Sequence, residues 1–396
     1  MKQHHIFKPE LLPLSLRGAF IVIVSTLSLL FSDRPAAVTS AERTTGPAVA
    51  DMRMVQLQQT RSVQQTMAEL KSARVVLVGE THDRMDHHMV QLEVLKQMHR
   101  QSPGIAIGVE WFQQPFQQYL DDYIAGRIEE EEMLHLTGYF ERWRYDYRLY
   151  QPILDYAREH DIPIIALNAS RELTRGLSED GFDDLDDDLR AQLPSEYDWS
   201  NEAYDQHLRE MFSMHPENTG SFDDFLRVQL TWDESMAERA AKFLEENPEH
   251  RMLILAGSGH VMYGWGIPDR LERRTGIEPV TVLVSGDQLP VSADIADYLV
   301  MSTVDKLEPA GLIGALIDTT TGQVVIEGFA HNSAAEDAGI EAGDIILCVD
   351  DVPVNSFAGF KLAMMNKRAG DTVRLLYAAG ENATDDERQS VEVELR

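Results

Sequence analysis

The sequence predicts an α/β fold: a mostly parallel sheet flanked by helices with a helical insertion, followed by a small, partly open β-barrel with helices. Up to about residue 284, short apolar runs rich in β-branched residues alternate with helical patterns, which predicts a parallel sheet covered on both faces. From residue 310 onward, short strands with close turn signals indicate a second domain. With 396 residues, 43% of them hydrophobic, the chain can bury two cores.

The charge and the cysteine content argue against several classes of partner and site. The chain has 66 acidic and 35 basic residues, a formal net charge of −31, which argues against nucleic acid as a partner. The same charge argues against binding to an anionic membrane surface. The single cysteine, Cys348, can form neither an intrachain disulfide nor a cysteine-based zinc site.

The amino terminus has the pattern of an export signal. Basic residues precede an uncharged apolar run at positions 18–31, which is shorter than the ~20 residues of a comfortable membrane span. Residues 1–41 are therefore predicted to be a signal peptide, with an uncleaved anchor as the alternative, and residues 42–59 a linker. We expect the protein in the periplasm or cell envelope of a bacterium, with membrane contact only through this segment.

Ionisable residues follow the first strand, at residues 75–78. Glu80, His82 and Asp83 come directly after it and lead into a helical pattern. That helix carries two further histidines, His87 and His88. Open α/β sheets bind their ligands at the carboxyl ends of their strands, so this cluster is a candidate site.

The spacing of Gly79 and His82 is repeated far downstream. The apolar run at residues 251–256 is followed by Gly257 and, three positions on, His260. Capping or packing explains either histidine alone, but the repeated Gly-x-x-His spacing favours a shared functional site.

Two more strands end in polar side chains. The run at residues 105–109 ends at Glu110, and the run at residues 162–167 ends at Asn168, with Arg171 close behind. If these strands are parallel neighbours, six side chains converge at one edge of the sheet: Glu80, His82, Glu110, Asn168, Arg171 and His260.

Two other segments have more than one interpretation. The aromatic run at residues 139–150 is a possible face for a flat ligand or, more commonly, core between helices. In the helical insertion at residues 173–247, His207 and Met211 lie four positions apart and are donors that suit iron, or they simply pack between helices.

The carboxyl-terminal region, residues 309–396, resembles a bacterial-type PDZ domain. The residues that carry the resemblance are Ser333-Ala334-Ala335, Ala338-Gly339-Ile340, Ala342-Gly343-Asp344-Ile345-Ile346 and Asp350-Asp351-Val352-Pro353-Val354. The resemblance implies that a loop binds the C-terminal carboxylate of a protein partner, whose last residues add as a strand to the sheet edge. That loop is Leu312, Ile313, Gly314 and Ala315. Residues 291–308, polar and irregular, are predicted to be a linker.

The larger region, residues 60–290, resembles the ChaN-like haem-binding uptake proteins, which group with the Tiki, TraB and erythromycin-esterase-type proteins. The residues that carry the resemblance are Leu77-Val78-Gly79-Glu80-Thr81-His82-Asp83, Gly108-Val109-Glu110 and Leu255-Ala256-Gly257-Ser258-Gly259-His260-Val261. The resemblance implies haem binding at the cell envelope, in iron or haem uptake, by proteins that pair as homodimers around the cofactor. The candidates for the haem ligand are His260, Met262 and Tyr263.

Two alternatives remain beside haem binding. A metal-dependent hydrolase would hold Mn²⁺ or Zn²⁺ with Glu80, His82, Glu110 and His260, or Glu80 would act without metal and with His260 as its partner. A non-catalytic adaptor would use only the PDZ domain. Supporting roles are assigned to Asp83, His87, His88, Asn168 and Arg171. Convergence of the four residues within coordination distance would favour hydrolysis, and a His or Tyr on a flat apolar surface would favour haem.

Overall fold

The computed structural model describes residues 60–214, 220–286, 292–302, 306–318, 323–380 and 388–396. The predicted signal peptide, residues 1–41, and the predicted linker, residues 42–59, lie outside the described residues. Within the described ranges, every helix is too short or too polar to cross a lipid bilayer.

The first domain is built on a sheet of six strands. In chain order they are β1 (Val75–Glu80), β2 (Ile105–Gln113), β3 (Ile164–Asn168), β4 (Arg251–Gly257), β5 (Val280–Val284) and β6 (Tyr298–Val300). They lie in the order β3-β2-β4-β1-β5-β6, and every neighbouring pair is parallel. The predicted parallel sheet is therefore confirmed.

The two faces of β1 explain its uninterrupted apolar sequence. Successive side chains of a strand point to opposite faces. Val76 and Val78 pack into one hydrophobic core, and Val75 and Leu77 pack into the other, on the opposite face of the sheet. Because both faces are covered, all six residues of β1 are buried.

Eleven helices accompany this sheet within the described ranges. They are α1 (Val63–Glu69), α2 (Met85–Gln101), α3 (Gln117–Ile124), α4 (Glu130–Leu136), α5 (Tyr139–Arg142), α6 (Gln151–Glu159), α7 (Arg171–Glu179), α8 (Asp187–Arg190), α9 (Glu202–Ser213), α10 (Phe222–Glu246) and α11 (Ile267–Thr275). Helices α1–α6 contribute to the core on one face, and α10 and α11 to the core on the other. Helices α7 and α9 pack on α10. The helical insertion of the predicted fold is thus observed.

Strand β6 lies inside the stretch predicted as a linker, residues 291–308. Its three residues pair with β5, Val282 lying opposite Tyr298 and Val284 opposite Val300. Three residues are too few for an alternating pattern to be recognised in sequence, whereas the open edge of β5 is sufficient to order them. The first domain therefore extends beyond residue 290.

The carboxyl-terminal domain is an antiparallel sheet with two helices. Its strands are β7 (Ala315–Asp318), β8 (Val324–Phe329), β9 (Ile345–Val349), β10 (Val352–Pro353), β11 (Thr372–Ala378) and β12 (Arg388–Glu394). They follow the order β12-β11-β9-β8-β7, with β10 paired to β9. The helices are α12 (Ala334–Asp337) and α13 (Phe357–Met364). This architecture agrees with the second domain that the sequence predicts.

Candidate functional site

The two Gly-x-x-His segments meet because their strands are neighbours in register. Strands β1 and β4 pair directly, with Glu80 opposite Gly257. Gly79 permits this close approach, since a Cβ atom there would lie 2.5 Å from the Leu283 side chain and 3.1 Å from the Ser258 backbone. The parallel arrangement thus brings both segments to one edge of the sheet.

Glu80 and His82 form a buried ion pair. The Nδ1–H of His82 donates to Glu80 Oε1 at 2.5 Å, and Glu80 is 2% exposed. Burial opposes a charge on His82, but the charges of Glu80 and Glu110 outweigh it and raise the His82 pKa to about 9. The second oxygen of Glu80, Oε2, is buried and has no hydrogen-bond partner among the described residues.

A second set of ion pairs has His260 at its centre, with Glu110 on one side of the ring and Asp233 on the other. The Nε2 of His260 lies 3.5 Å from Glu110 Oε1, and its Nδ1 lies 2.7 Å from Asp233 Oδ1. Burial opposes the charge of His260, but the two carboxylates outweigh it and raise the His260 pKa to about 10. Burial likewise opposes the charge of Glu110, but His260 and His82 outweigh it and lower the Glu110 pKa to about 2.

Backbone and tyrosine donors complete the hydrogen bonding of these carboxylates. The Gly257 N–H donates to Glu110 Oε2 at 2.6 Å, and the Tyr204 hydroxyl donates to Asp233 Oδ2 at 2.6 Å. Both Glu110 oxygens and both Asp233 oxygens are therefore engaged, which leaves Glu80 Oε2 as the carboxylate oxygen of the cluster open to a further donor.

We call Glu80, His82, Glu110, Asp233 and His260 the strand-end cluster, and its histidines face its carboxylates as ion pairs. A histidine coordinates a metal only as the neutral imidazole, and both nitrogens of His260 face carboxylates, as in an imidazolium. Among the described residues no group of three or more His, Cys, Asp or Glu side chains could hold a metal ion. The Mn²⁺ or Zn²⁺ alternative gains no support from this geometry.

Asn168, Asp83 and Arg171 differ in how they relate to the cluster. The Asn168 Nδ2 donates to the Glu110 carbonyl oxygen at 3.0 Å, so it positions β2 beside β3. Asp83 is exposed, and Arg171 donates to the Glu141 carbonyl oxygen without a hydrogen bond to the cluster. Of the three, only Asn168 contacts a member of the cluster.

His87 and His88 brace the turn that carries His82. The Thr81 N–H donates to His87 Nδ1 at 3.0 Å, which places the His87 proton on Nε2. Burial lowers the pKa of His87, so this ring is neutral. His88 Nε2 lies 3.1 Å from the His82 carbonyl oxygen. The same nitrogen lies 3.9 Å from Glu80 Oε2. The two histidines therefore hold the backbone of the turn, and His88 also faces the second oxygen of Glu80.

Aromatic rings enclose His82 from the side. Trp143 and Tyr145 place their ring centroids 4.8 and 4.9 Å from that of His82. The Tyr150 hydroxyl donates to the His82 carbonyl oxygen at 3.2 Å. Most of the aromatic run at residues 139–150 is buried core, as the commoner of its two interpretations predicts.

The haem-ligand candidates Met262 and Tyr263 lie just beyond His260. Tyr263 has a left-handed backbone, with φ of 58°, and its ring stacks on Trp265 with centroids 4.4 Å apart and planes at 22°. His207 of α9 lies beside both rings, 6.1 and 5.8 Å away. We call Tyr263, Trp265 and His207 the aromatic surface. Met262 and Tyr263 both pack against the core on this face of the sheet.

The Nε2 of His207 is buried and has no hydrogen-bond partner among the described residues. Burial lowers the pKa of the His207 imidazole. Tyr263 and Trp265 are both partly exposed. The aromatic surface therefore offers a phenol and an indole to a flat ligand, with the His207 ring packed beside them.

Sequence reasoning missed Asp233 and Tyr204, which hold His260. Asp233 lies in α10 and is completely buried, and Tyr204 lies in α9 and is 3% exposed. The available signal was an aspartate among the core-facing positions of a helix, close to Leu230, Met236 and Ala237. Buried acids of this kind are rare unless they are paired.

The predicted carboxylate-binding loop, residues 312–315, has an arrangement that requires glycine. Gly314 has φ of 74°, and a Cβ atom there would lie 2.8 Å from the Ser333 backbone. The Leu312 N–H already donates to the Arg396 carbonyl oxygen. Among the described residues, the N–H groups of Ile313 and Gly314 have no backbone partner. The donors open to a ligand are therefore fewer than the sequence suggests.

Two family models match the chain. One is described as haem-binding uptake, Tiki superfamily, ChaN, and matches residues 66–271, more than half of the chain. The other is the PDZ domain and matches residues 311–395. Both resemblances inferred from the residues are confirmed.

Relatives and solved structures add a fold comparison. The structure described as cofacial haem binding to ChaN of Campylobacter jejuni is 20% identical, with a TM-score of 0.51, and the match covers 62% of this chain and 94% of that one. Protein RETICULATA-RELATED 5, chloroplastic, of Arabidopsis thaliana is 20% identical over 226 residues. That match covers 52% of this chain, but the chain spans only 30% of that relative's length.

Proposed function

Because the chain belongs to the ChaN haem-binding uptake family of the Tiki superfamily, we propose that it binds haem, with Tyr263 as the iron ligand. The observation that supports Tyr263 is its phenol, which lies on the partly exposed aromatic surface and forms no hydrogen bond within the described residues. Tyrosine is an established axial ligand of haem iron.

The three ligand candidates from the sequence differ in availability. His260 is held between Glu110 and Asp233 through both ring nitrogens, so it offers no lone pair to iron. Met262 and Tyr263 both pack against the same core and are both partly exposed, so burial does not separate them. Tyr263 is preferred because its ring stacks on Trp265, whose flat ring suits a porphyrin, and because its phenol forms no hydrogen bond within the described residues.

The rest of the aromatic surface fits the same cofactor. The His207 ring lies beside those of Tyr263 and Trp265, so it would pack against the edge of a porphyrin bound there. Bound haem would supply the redox-active iron, and these residues would hold and orient it.

A haem titration read by Soret absorbance tests this proposal. We expect saturable binding by the purified protein, and at least about a tenfold loss of affinity for Tyr263→Phe, which removes only the hydroxyl. His260→Gln is the control variant and should retain nearly full affinity. Absence of saturable binding, or equal losses in both variants, would contradict the proposal.

A homodimer and an envelope location are part of the same proposal. The homodimer is what the resemblance to the ChaN-like proteins implies, because those proteins pair around the cofactor. The signal peptide predicted at residues 1–41 supports a bacterial envelope location for haem uptake or handling. Mass measured by light scattering with and without haem, and sequencing of the mature amino terminus, test these two points.

For the PDZ domain we propose binding to the C-terminus of another protein. Support comes from the free N–H groups of Ile313 and Gly314 and from β7, which pairs only with β8 and leaves its other edge open among the described strands. A peptide with a free terminal carboxylate should bind, and its amidated form should not. Gly314→Ala should abolish binding because of the Ser333 contact.

A metal-independent hydrolase is a second candidate, supported by the strand-end cluster. Glu80 offers a buried carboxylate oxygen without a hydrogen-bond partner among the described residues, and the imidazolium of His82 lies beside Glu80. The imidazolium of His260 lies beside Glu110, so a carboxylate base and imidazolium acids occur in one cluster. Release of p-nitrophenolate from p-nitrophenyl acetate in EDTA tests this. The candidate fails if Glu80→Gln and wild type hydrolyse the ester equally fast.

A further inference from the structure

Helix α13 contributes side chains to two different hydrophobic cores. Phe360 and Met364, 6% and 8% exposed, belong to the core of the PDZ domain. Ala358, 3% exposed, and Met365 just after the helix, 8% exposed, belong to the core of the first domain. The hydrophobic cores of both domains therefore include side chains from this one helix.

On its PDZ side, α13 faces the proposed peptide site. Ile313 of the carboxylate-binding loop lies in the same core as Phe360 and Met364, and Ala315 at the start of β7 packs against that core. A peptide strand that adds to β7 and inserts a side chain towards this core must be accommodated by α13. The position of α13 is thus part of the peptide site.

On its other side, α13 packs on α4 and α5. Tyr139 and Phe140 of α5 lie in the same core as Ala358 and Met365. The chain leaves α5 at Arg142 and enters the segment that encloses His82, which begins with Trp143. Helices α13 and α5 therefore lie between the proposed peptide site and the rings that pack around His82.

Charge links the two sides as well. Burial raises the pKa of the Asp146 carboxyl, but the neighbouring Arg148, and more weakly Lys361, outweigh burial and lower it. Lys361 is a residue of α13, whereas Asp146 lies between Tyr145 and Tyr150 in the segment around His82. The helix is therefore also in electrostatic contact with that segment.

We propose that α13 couples peptide binding in the PDZ groove to the packing of Trp143 and Tyr145 on His82, so that an occupied groove alters the strand-end cluster. The inference rests on the proposed peptide binding. Close-packed cores transmit displacements and do not absorb them, because few voids are present. Coupling of this kind is reciprocal, so a ligand at the cluster would alter peptide affinity by the same factor.

The experiment monitors the peptide groove and the packing around His82 in one sample of the full chain. A short peptide with a C-terminal valine carboxylate is tethered by a flexible spacer to Leu316→Cys, an exposed position on β7, in a Cys348→Ser background. The Gly314 amide resonance reports on the groove. The fluorine resonance of 5-fluorotryptophan at Trp143, assigned with Trp143→Phe, reports on the His82 packing.

The possible outcomes separate the coupling from the peptide site itself. We expect both resonances to shift with the carboxylate peptide and neither to shift with its amidated form. A Gly314 shift without a Trp143 shift would overturn the coupling and leave the peptide site standing. If Gly314 does not shift either, the proposed peptide site fails and the coupling fails with it.

Two side-chain truncations of similar size test whether the coupling passes through α13. Leu362 packs against the core of the first domain, and Val391 packs against the PDZ core on β12, far along the sheet from β7. Leu362→Ala should reduce the Trp143 shift by roughly half or more while the Gly314 shift persists. Val391→Ala should leave both shifts in place. Equal effects of the two truncations would contradict transmission through α13.

Discussion

At the scale of single residues, the strand-end cluster is an alternation of carboxylates and imidazolium rings. His82 and His260 each gain a charge because each faces two acids, and Glu110 stays ionised because it faces both histidines and the Gly257 N–H. The titrations of these side chains are coupled, so the removal of one charge changes the protonation of its neighbour.

The removal of the Asp233 charge tests this interdependence. In Asp233→Asn the carboxylate that accepts from His260 Nδ1 is replaced by an amide of the same shape. We expect the His260 pKa to fall from about 10, and the Glu110 pKa to change much less, as measured by NMR titration. Asp205→Asn, on α9 outside the cluster, is the matched control and should leave His260 unchanged. An unaltered His260 titration in Asp233→Asn would contradict the assignment.

The pH dependence of stability follows from the same shifts. The folded pKa values of His82 and His260 are raised above 6.5, so their contribution is complete below pH 6.5 and is lost as the pH rises through about 9 to 10. The Glu110 pKa is lowered, so its contribution is present above pH 4.5 and is lost as the pH falls towards about 2.

We therefore expect the free energy of unfolding to decrease by about 3 kcal/mol between pH 6.5 and pH 10, from the conversion of about 1.4 kcal/mol per pKa unit with allowance for coupling. Urea denaturation at a series of pH values measures it. His260→Gln should flatten the profile over this range. A profile that is flat in wild type would show that the ion pairs contribute nothing to stability.

At the scale of elements, the close approach of β1 to its neighbours positions the cluster. Gly79 has no room for a methyl group, since Leu283 and the Ser258 backbone lie within 3.1 Å of the position of a Cβ atom. The turn after β4 packs there directly, and that contact sets where His260 can reach.

Gly79→Ala should therefore destabilise the fold by about 1–3 kcal/mol through overpacking. It should also displace the turn that carries His260, with a weaker ion pair to Glu110 as the result. Gly259→Ala is the matched control, because a Cβ atom there meets no other atom within 4 Å. Thermal denaturation compares the stability of the two variants. Equal stability would contradict the prediction that a Cβ atom at position 79 overpacks the site.

At the scale of the whole molecule, the two domains share a hydrophobic core through α13. The buried residues Ala358 and Met365 belong to the PDZ domain in sequence and to the first domain in packing. Domains joined by a well-packed apolar contact lose the independence that a polar interface would leave them.

We expect the described parts of both domains to unfold in one cooperative transition. Differential scanning calorimetry should give a single peak for the wild type. Leu362→Asp places a charge in the shared core and should split or broaden that peak, whereas Asn366→Asp, at an exposed position just after the same helix, should not split it. Two separate peaks in the wild type would show that the shared core does not join the domains.

Much of the architecture was accessible from periodicity alone. Uninterrupted apolar runs require burial on both faces, which predicts parallel strands, and parallel strands place their terminal polar residues at one edge. Glu80, His82, Glu110 and His260 could therefore be named together. Strand β6 could not be recognised, because three residues carry too little pattern.

The sequence by itself determined the two domains, the parallel sheet and the edge at which its charged residues gather, since these depend on the period of local patterns. Only the tertiary structure decided how those residues are partnered. Asp233 reaches His260 from a helix distant in sequence, and that contact turns a possible ligand into an imidazolium. The hydrogen bond from the Leu312 N–H to Arg396 and the position of α13 between two cores likewise arise from contacts between remote segments, which no local pattern encodes.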